Sequence, residues 1–271
     1  YDARSVCMQG DNVYVADGKN GLLVVNDKIG NPIRNLSQVG RYDTAGSAHD
    51  VYIQGSYAYV ADERNGLVII DISNPKSPTQ VGRYVTAGSA LGVYIKGSYA
   101  YVAYGENGLV IINISNPNSP YQVGWYPGYA CGVYIQGSSA YVTELNGSVR
   151  VIDISDPNYP RTVSWYNTAG DAYDVYVQGS YSYVADRENG LVIIDISNPK
   201  SPRQVGVYYT AGSALGVYIQ GRYAYVADGD YGLVIIDVSG VSAFSEPPIG
   251  KVDIGPARKI KVNGNYAYVI N

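Results

Sequence analysis

The sequence of 271 residues is poor in the residue types that most catalytic and metal sites need. It contains one His, two Cys and one Met. Zinc, haem and iron–sulfur sites require close groups of His or Cys ligands, and the sequence has no such group. The same scarcity excludes most Cys–His and Ser–His nucleophilic machinery. We therefore expect a protein without enzyme activity, without a cofactor and without a bound metal.

Charged residues and long apolar runs are also scarce. Only 15% of the residues are charged, while 46% are hydrophobic, so the chain is not of the disordered class. The formal net charge is −4, whereas a nucleic-acid-binding protein needs a basic face. No stretch reaches the roughly 18–20 apolar residues that a membrane-spanning helix needs. We expect neither a nucleic-acid partner nor a membrane span.

Tyrosine and glycine are abundant, and the tyrosines reveal an internal repeat. The chain has 30 Tyr and 32 Gly, against one Phe and two Trp. A Tyr-Val motif recurs about every 42 residues, at Tyr14, Tyr59, Tyr101, Tyr141, Tyr183, Tyr225 and Tyr268. Repeats of this length are the sequence signature of solenoids and propellers.

Each repeat divides into four short pieces that are separated by turn signals. In the copy at 91–130 the pieces are 93–96, 99–103, 109–114 and 121–126. Gly97-Ser98 and Asn107-Gly108 are hairpin dipeptides, and two prolines interrupt the third connection. β-Branched and aromatic residues dominate every piece, which favours strands. Four antiparallel strands in about 40–45 residues are typical of a β-propeller blade.

Seven copies predict an all-β, seven-bladed propeller that forms a single domain over 1–271. The predicted blades are 1–44, 45–86, 87–128, 129–168, 169–210, 211–254 and 255–271. The last copy has only its first two strands, so we expect a chain trimmed from a longer polypeptide or a ring closed by inner strands only. The alternative is six blades plus a half-blade.

The repeat resembles a known family. The segments 65–78 and 189–202 both read NGLVIIDISNPKSP, and they combine with SYAYVAD at 56–62 and YDTAGSA at 42–48. These motifs are similar to those of the LVIVD-repeat family. The resemblance implies an extracellular or cell-surface β-propeller of bacterial or archaeal type, without a catalytic motif. The sequence departs from the pattern in an irregular loop before Gln38 and at Arg150, which lies in an apolar strand.

Polar residues interrupt the repeat directly before the first strand of several blades, which is where the mouth of a central channel is expected. These residues are Arg4, His49, Asp50, Tyr173, Asp174, Arg258 and Lys259. In ring order, blades seven, one and two are neighbours, which groups the basic residues with His49 and Asp50. Such a group is suited to an anionic ligand or, less well, to acid–base chemistry. The alternative interpretation is drift at a solvated rim.

Two tryptophans occupy equivalent places on the outer strands of blades three and four. Trp125 with Tyr126, and Trp165 with Tyr166, predict an outer aromatic patch. Exposed aromatic side chains stack on sugar rings or anchor protein partners. The alternative is that each Trp covers its own strand.

Carboxylates end the second strand of most blades, at Asp17, Asp62, Glu144, Asp186 and Asp228. Calcium sites use carboxylate oxygens, but each loop supplies only one or two of them. We expect these side chains to accept backbone N–H hydrogen bonds in the turn.

The sequence thus predicts a non-catalytic extracellular or cell-surface module that binds protein or glycan. One alternative is a propeller hydrolase or lyase acting at the channel mouth. Another is a structural subunit of an envelope or filament that assembles through blade edges. Self-association through the incomplete seventh blade is a related expectation.

Overall fold

The computed structural model describes residues 2–26, 37–85, 87–240 and 248–270. Within these ranges the chain forms six four-stranded antiparallel sheets and one two-stranded sheet. The chain divides into two compact units, an N-terminal unit (Tyr1–Pro127) and a C-terminal unit (Gly128–Asn271).

The N-terminal unit contains three blades, each with its strands paired in chain order. Its strands are β1 (Ser5–Gln9), β2 (Asn12–Ala16), β3 (Leu22–Asn26), β4 (Ser37–Tyr42), β5 (Asp50–Gln54), β6 (Tyr57–Ala61), β7 (Leu67–Asp71), β8 (Thr79–Tyr84), β9 (Gly92–Lys96), β10 (Tyr99–Ala103), β11 (Leu109–Asn113) and β12 (Tyr121–Tyr126).

The C-terminal unit contains three further blades and one pair of strands. Its strands are β13 (Gly132–Gln136), β14 (Ser139–Glu144), β15 (Ser148–Asp153), β16 (Arg161–Asn167), β17 (Asp174–Gln178), β18 (Tyr181–Ala185), β19 (Leu191–Asp195), β20 (Arg203–Tyr208), β21 (Gly216–Gln220), β22 (Tyr223–Ala227), β23 (Leu233–Asp237), β24 (Gly250–Val252), β25 (Lys259–Asn263) and β26 (Tyr266–Ile270).

The chain is therefore an all-β propeller of four-stranded antiparallel blades. Six blades are complete in the described residues and the seventh consists of β25 and β26, which is the predicted six-plus-half alternative. The irregular loop expected before Gln38 lies at 27–36, outside the described residues. The assignment of 1–271 to a single domain stays a prediction.

Hydrophobic packing between successive blades forms the core. Between the second and third blades, Leu67 and Ile69 pack with Val93 and Ile112, and all four are almost fully buried. The third strand is buried along both faces, as the residues from Leu67 to Ile70 show no exposure. This confirms that an unbroken apolar strand marks a sheet covered on both sides.

The outer edges of adjacent blades meet closely at the fourth strand. Gly82 in β8 lies against the backbone carbonyl of Pro117 in the next blade, where a Cβ atom would collide with it. Blade four carries Ser164 at this position, and its hydroxyl donates to the Pro199 carbonyl at 2.5 Å. Small side chains are therefore required where the fourth strand passes the following proline loop.

Buried carboxylates connect several blades to the loop that precedes them. The Oδ1 of Asp62 accepts from the Thr44 hydroxyl at 2.7 Å, and its Oδ2 accepts from the Asn65 amide at 3.1 Å. Asp186 repeats this arrangement with Thr168 at 2.6 Å and Asn189 at 2.9 Å. The expected backbone partners were therefore wrong for these two carboxylates, because side chains donate instead.

Burial raises the pKa of these carboxyls. The pKa of Asp62 rises to about 6, although hydrogen bonds from Thr44 and Asn65 oppose the increase. The pKa values of Asp186 and Asp228 are raised for the same reason. Neutral side chains donate to Asp62 and Asp186, whereas the positive charge of Lys251 partly opposes the increase at Asp228.

In blade four, the buried carboxylate is part of an ion pair. Glu144 is buried at the end of β14, and both of its oxygens accept from the Arg150 guanidinium, at 3.0 Å and 2.9 Å. This fork explains why an arginine interrupts the apolar strand β15. The departure from the repeat at Arg150 therefore compensates for the charge of a buried carboxylate.

Candidate ligand-binding sites

Arg4 and His49 meet at the start of the first strands of the N-terminal unit. Each continues the backbone ladder one residue before its strand, because Arg4 donates its N–H to Ala16 and His49 to Ala61. The Nη1 of Arg4 contacts the Nε2 of His49, while its Nη2 donates to the Asp2 carboxylate at 2.8 Å. The structure therefore brings together these two predicted site residues.

The contact with Arg4 favours the neutral form of His49. A guanidinium has only donors, so Nε2 accepts from it in the tautomer that carries its proton on Nδ1. Burial lowers the pKa of His49, and the positive charge of Arg4 lowers it further, against the effect of nearby carboxylates. Nε2 is thus already engaged and is poorly placed to act as a general base.

Asp50 connects three successive first strands rather than facing a ligand. Its Oδ1 accepts from the Ser5 hydroxyl at 2.5 Å and from its neighbour's N–H, and its Oδ2 accepts from the Val93 N–H at 2.9 Å. Ser5 belongs to β1 and Val93 to β9, on either side of β5. Asp50, a predicted site residue, therefore links its own blade to the blades on either side.

Asp174 is the counterpart of Asp50 in the C-terminal unit. Its Oδ2 accepts from the Val217 N–H of β21 at 3.1 Å, and its Oδ1 accepts from the Lys259 ammonium of β25 at 2.9 Å. The lysine side chain therefore crosses β21 to reach β17. Gly216 allows this approach, since a Cβ atom there would lie 3.0 Å from the Lys259 Cα and 2.8 Å from the Arg258 carbonyl.

Tyr173 carries a cation over its ring. The Arg187 guanidinium lies 5.0 Å from the ring centroid and donates to Asp171 at 2.9 Å. Arg187 has a left-handed backbone conformation with φ of 42°, where the equivalent residue of blade six is Gly229. A side chain at such a position is strained, and strain of this kind is concentrated at functional sites.

These contacts do not test the predicted cluster that combines the basic residues of blade seven with those of blades one and two. The Arg258 side chain is exposed, and its backbone N–H donates to Ile270. The proposed cluster of Arg258 and Lys259 with Arg4, His49 and Asp50 joins residues of different units and stays a prediction.

Sequence reasoning missed Ser5, which begins the first strand β1, and Arg187, which lies in the turn between β18 and β19. Arg187 replaces a repeat glycine and was therefore detectable.

Trp125 lies on β12, on the outer strand of blade three. Its side chain is 50% exposed, while the indole N–H donates to the Asn107 carbonyl in the hairpin between β10 and β11 at 2.5 Å. In blade one, Arg41 occupies the same position and donates to the Asn20 carbonyl at 3.1 Å. The ring is therefore held in place with half of its surface exposed, and Tyr126 beside it is half-buried.

Trp165 lies at the equivalent position of β16 in the C-terminal unit. It is 62% exposed and is paired across the sheet with Arg150. Tyr166 is half-buried and donates its hydroxyl to Gln204 of the next blade at 3.1 Å. The loop before β16 adds Tyr159, which is also strongly exposed. Each unit therefore presents its own exposed tryptophan, and the joint patch of Trp125 and Trp165 stays a prediction.

Two further observations concern metals and membranes. Within the described ranges, no three or more His, Cys, Asp or Glu side chains are grouped so that they would bind a metal ion. The same part of the chain has no helix long and apolar enough to cross a membrane.

Known structures share this fold at low sequence identity. The periplasmic gluconolactonase of Pseudomonas aeruginosa aligns with a TM-score of 0.78 and 16% identity, over 99% of this chain and 88% of that one. A putative 6-phosphogluconolactonase of Bacteroides fragilis aligns with a TM-score of 0.78 and 16% identity, over 98% and 86%. The computationally designed Ika8 protein aligns with a TM-score of 0.71 and 5% identity, over 99% and 92%. At such identities the likeness shows the fold alone.

Sequence comparison is more specific. No curated protein sequence matches the chain. The model of the LVIVD repeat matches it seven times, at residues 2–44, 45–86, 87–126, 127–168, 169–210, 211–248 and 254–271. These matches cover nearly the whole chain and follow the blades described above, so the chain belongs to the LVIVD-repeat family.

Proposed function

We propose that this propeller is a non-catalytic binding module of the cell surface or extracellular space that recognises glycan or protein partners. The observation that carries this proposal is the exposure of Trp125, a large aromatic side chain that is held in place by a hydrogen bond. A preorganised aromatic ring gains contact area on binding at little cost in side-chain entropy. Trp165 offers a similar surface on the C-terminal unit.

The polar residues at the starts of the first strands support a role without catalysis. His49 is the only histidine of the chain, and its Nε2 accepts from Arg4. Asp50 and Asp174 accept hydrogen bonds from backbone N–H groups of neighbouring blades. General acid–base catalysis needs a group within hydrogen-bond reach of substrate, and these groups are already engaged within the protein.

The test is binding of the labelled chain to an array of immobilised glycans, with variants drawn from the repeat itself. Trp125→Arg and Trp165→Arg introduce the residue that blade one carries at this position. Because Trp165 faces Arg150 across the sheet, circular dichroism checks that the double variant is folded. We expect the double variant to lose at least tenfold of the binding signal. Trp125→Phe and Trp165→Phe keep an aromatic face but lack the indole donor, so they should bind more weakly than the wild type and more strongly than the arginine variants.

Two outcomes would count against the proposal. Binding that is unchanged in the double arginine variant would remove the tryptophans from the site, and the absence of any glycan binding would overturn the glycan version. Hydrolysis of gluconolactone by the wild type that is abolished in His49→Gln would instead establish the enzymatic alternative. Assembly through blade edges would appear as concentration-dependent oligomers in light scattering.

A further inference from the structure

The C-terminal unit carries two lysines on one face of β25. Lys259 and Lys261 are alternate residues of a strand, so their side chains leave on the same side, with Cα atoms about 7 Å apart. The equivalent residues of blade six are Gly216 and Tyr218. The chain has a net charge of −4, so a pair of adjacent cations on a first strand stands out from the rest of the molecule.

Both ammonium groups are held by the neighbouring blades. Lys259 reaches across β21 to the Asp174 carboxylate at 2.9 Å. The side chains of Lys259 and Asp174 are only 29% and 13% exposed. Lys261 lies over the Tyr218 ring with its Nζ 5.1 Å from the centroid. Part of the entropy that a lysine loses on binding is therefore already lost in the folded protein.

Aromatic rings continue from the lysines along the first strands. The Tyr218 ring contacts the Tyr176 ring at 4.9 Å, and Tyr176 contacts Tyr134 at the same distance. These three tyrosines are only partly buried. We call Lys259, Lys261 and the rings of Tyr176 and Tyr218 the lysine face.

We propose that the lysine face binds an acidic saccharide, with the lysines contacting its oxyanion and the tyrosine rings packing against its sugar ring. Ammonium groups make charge-assisted hydrogen bonds to carboxylate, sulfate and phosphate oxygens alike. Aromatic rings supply apolar contact area with a polar tip, which suits the mixed surface of a pyranose.

This inference rests on the proposed function as a binding module but places the acidic ligand at a different surface from the tryptophans. Inside a partly buried site, each charge contact is screened less by salt than it would be at the open surface. The acidic group should therefore contribute to affinity at physiological ionic strength and lose part of that contribution at high salt.

The test is titration calorimetry of the full chain with four probes. These are an oligogalacturonate, a sulfated galactose oligomer, a neutral galactose oligomer and a poly-glutamate peptide. We expect the two acidic saccharides to bind and the neutral oligomer to bind at least tenfold more weakly. The ratio between the carboxylated and the sulfated probe identifies which oxyanion the site prefers.

The repeat supplies matched variants. Lys261→Tyr introduces the residue that five other first strands carry, and Lys259→Gly introduces the residue of β21. Each should reduce the affinity for the acidic saccharide about tenfold while leaving the binding of neutral sugars unchanged. Lys261→Gln serves as a second test that leaves the Lys259–Asp174 ion pair in place.

The outcomes separate this inference from the proposed function. If neither acidic saccharide binds, or if Lys261→Tyr and Lys261→Gln bind it like the wild type, the inference is overturned. Preference for poly-glutamate over both saccharides would also overturn it. Loss of binding in the Trp125→Arg/Trp165→Arg variant with no effect of the lysine variants would support the outer surface alone.

Discussion

Blades four and five of the C-terminal unit bury a carboxylate at the same place but hold it differently. In blade five, neutral groups of Thr168 and Asn189 donate to Asp186. In blade four, the Arg150 guanidinium donates to both oxygens of Glu144.

The glycine in the preceding loop is common to both arrangements. A Cβ atom at Gly170 would lie 2.6 Å from Asp186, and one at Gly128 would lie 2.8 Å from Glu144. Both blades therefore use a carboxylate that reaches the preceding loop, whereas blade three buries Tyr104 at this position and its hydroxyl donates to the Tyr84 carbonyl at 3.2 Å.

The two arrangements have different energetic costs. Neutral donors leave the charge of Asp186 uncompensated, and burial raises its pKa. A guanidinium compensates the charge of Glu144, but it places a long cationic side chain in an otherwise apolar strand. Because the third strand is packed on both faces, this cation must stay paired to be tolerated.

The largest expected effect comes from replacing Arg150, which tests whether the buried Glu144 carboxylate depends on its cationic partner. Arg150→Val restores the apolar residue of the other third strands, yet we expect it to lower the free energy of unfolding by about 3 kcal/mol. The cause is the unpaired Glu144 carboxylate that remains in a buried position. The loss is measured by urea denaturation followed by fluorescence. Both proteins carry Trp125→Arg, so that the fluorescence reports on Trp165 alone.

A double variant checks the cause of that loss. Glu144→Gln together with Arg150→Val leaves no buried charge, so most of the lost stability should return. A double variant that is as unstable as Arg150→Val alone would show that packing of the arginine stem, rather than its charge, is the important contribution.

The neutral arrangement should make stability depend on pH. The pKa of Asp62 is raised to about 6, so the folded state binds more protons than the unfolded state between about pH 4 and pH 6. Stability should therefore fall as pH rises through this window, by at most about 3 kcal/mol at about 1.4 kcal/mol per pKa unit.

Asp62→Asn should remove that part of the pH dependence. Denaturation midpoints at pH 4, 5, 6 and 7 give the slope for the wild type and the variant. Identical slopes in the two proteins would contradict this expectation, because they would mean that folding does not shift the pKa of Asp62.

The same contrast between neutral and cationic partners occurs at the starts of the first strands. Ser5 and backbone N–H groups donate to Asp50, whereas Lys259 also donates to Asp174. Asp174→Asn should cost about 2 kcal/mol, because it removes the carboxylate that accepts from a partly buried ammonium, and Asp50→Asn about 1 kcal/mol. High salt should reduce the stability difference only for Asp174. Equal losses with equal salt dependence would contradict this distinction.

The fold was largely predictable from the sequence because every level of the repeat agrees. Hairpin dipeptides such as Asn107-Gly108, the proline loops and the unbroken apolar third strand all specify the same blade. What the sequence did not provide was the partner of each buried carboxylate. Thr44 and Asn65 approach Asp62 from different loops, and spacing along the chain does not reveal such a contact.

The candidate sites were predictable only in part. Positions that break the repeat identified Arg4, His49 and Lys259, and these residues do lie at the starts of first strands. Their pairing was not predictable, since the reach of Lys259 across β21 depends on the absence of a side chain at Gly216. Arg187 was detectable as a substitution for a repeat glycine, but spacing along the chain does not reveal that its guanidinium lies over the Tyr173 ring.

The smallest expected effect concerns the side chain that donates to the hairpin carbonyl, which is cationic in blade one and neutral in blade three. Arg41 and Trp125 both donate to the carbonyl of the hairpin asparagine in their blades, at 3.1 Å and 2.5 Å. Trp125→Arg should therefore change the free energy of unfolding by less than about 0.5 kcal/mol, whereas Trp125→Phe should cost about 1 kcal/mol because it lacks the donor. Thermal denaturation by circular dichroism compares the two. A large loss for Trp125→Arg would mean that the exposed ring is needed for folding, and the case for a surface held ready for a partner would lose its main support.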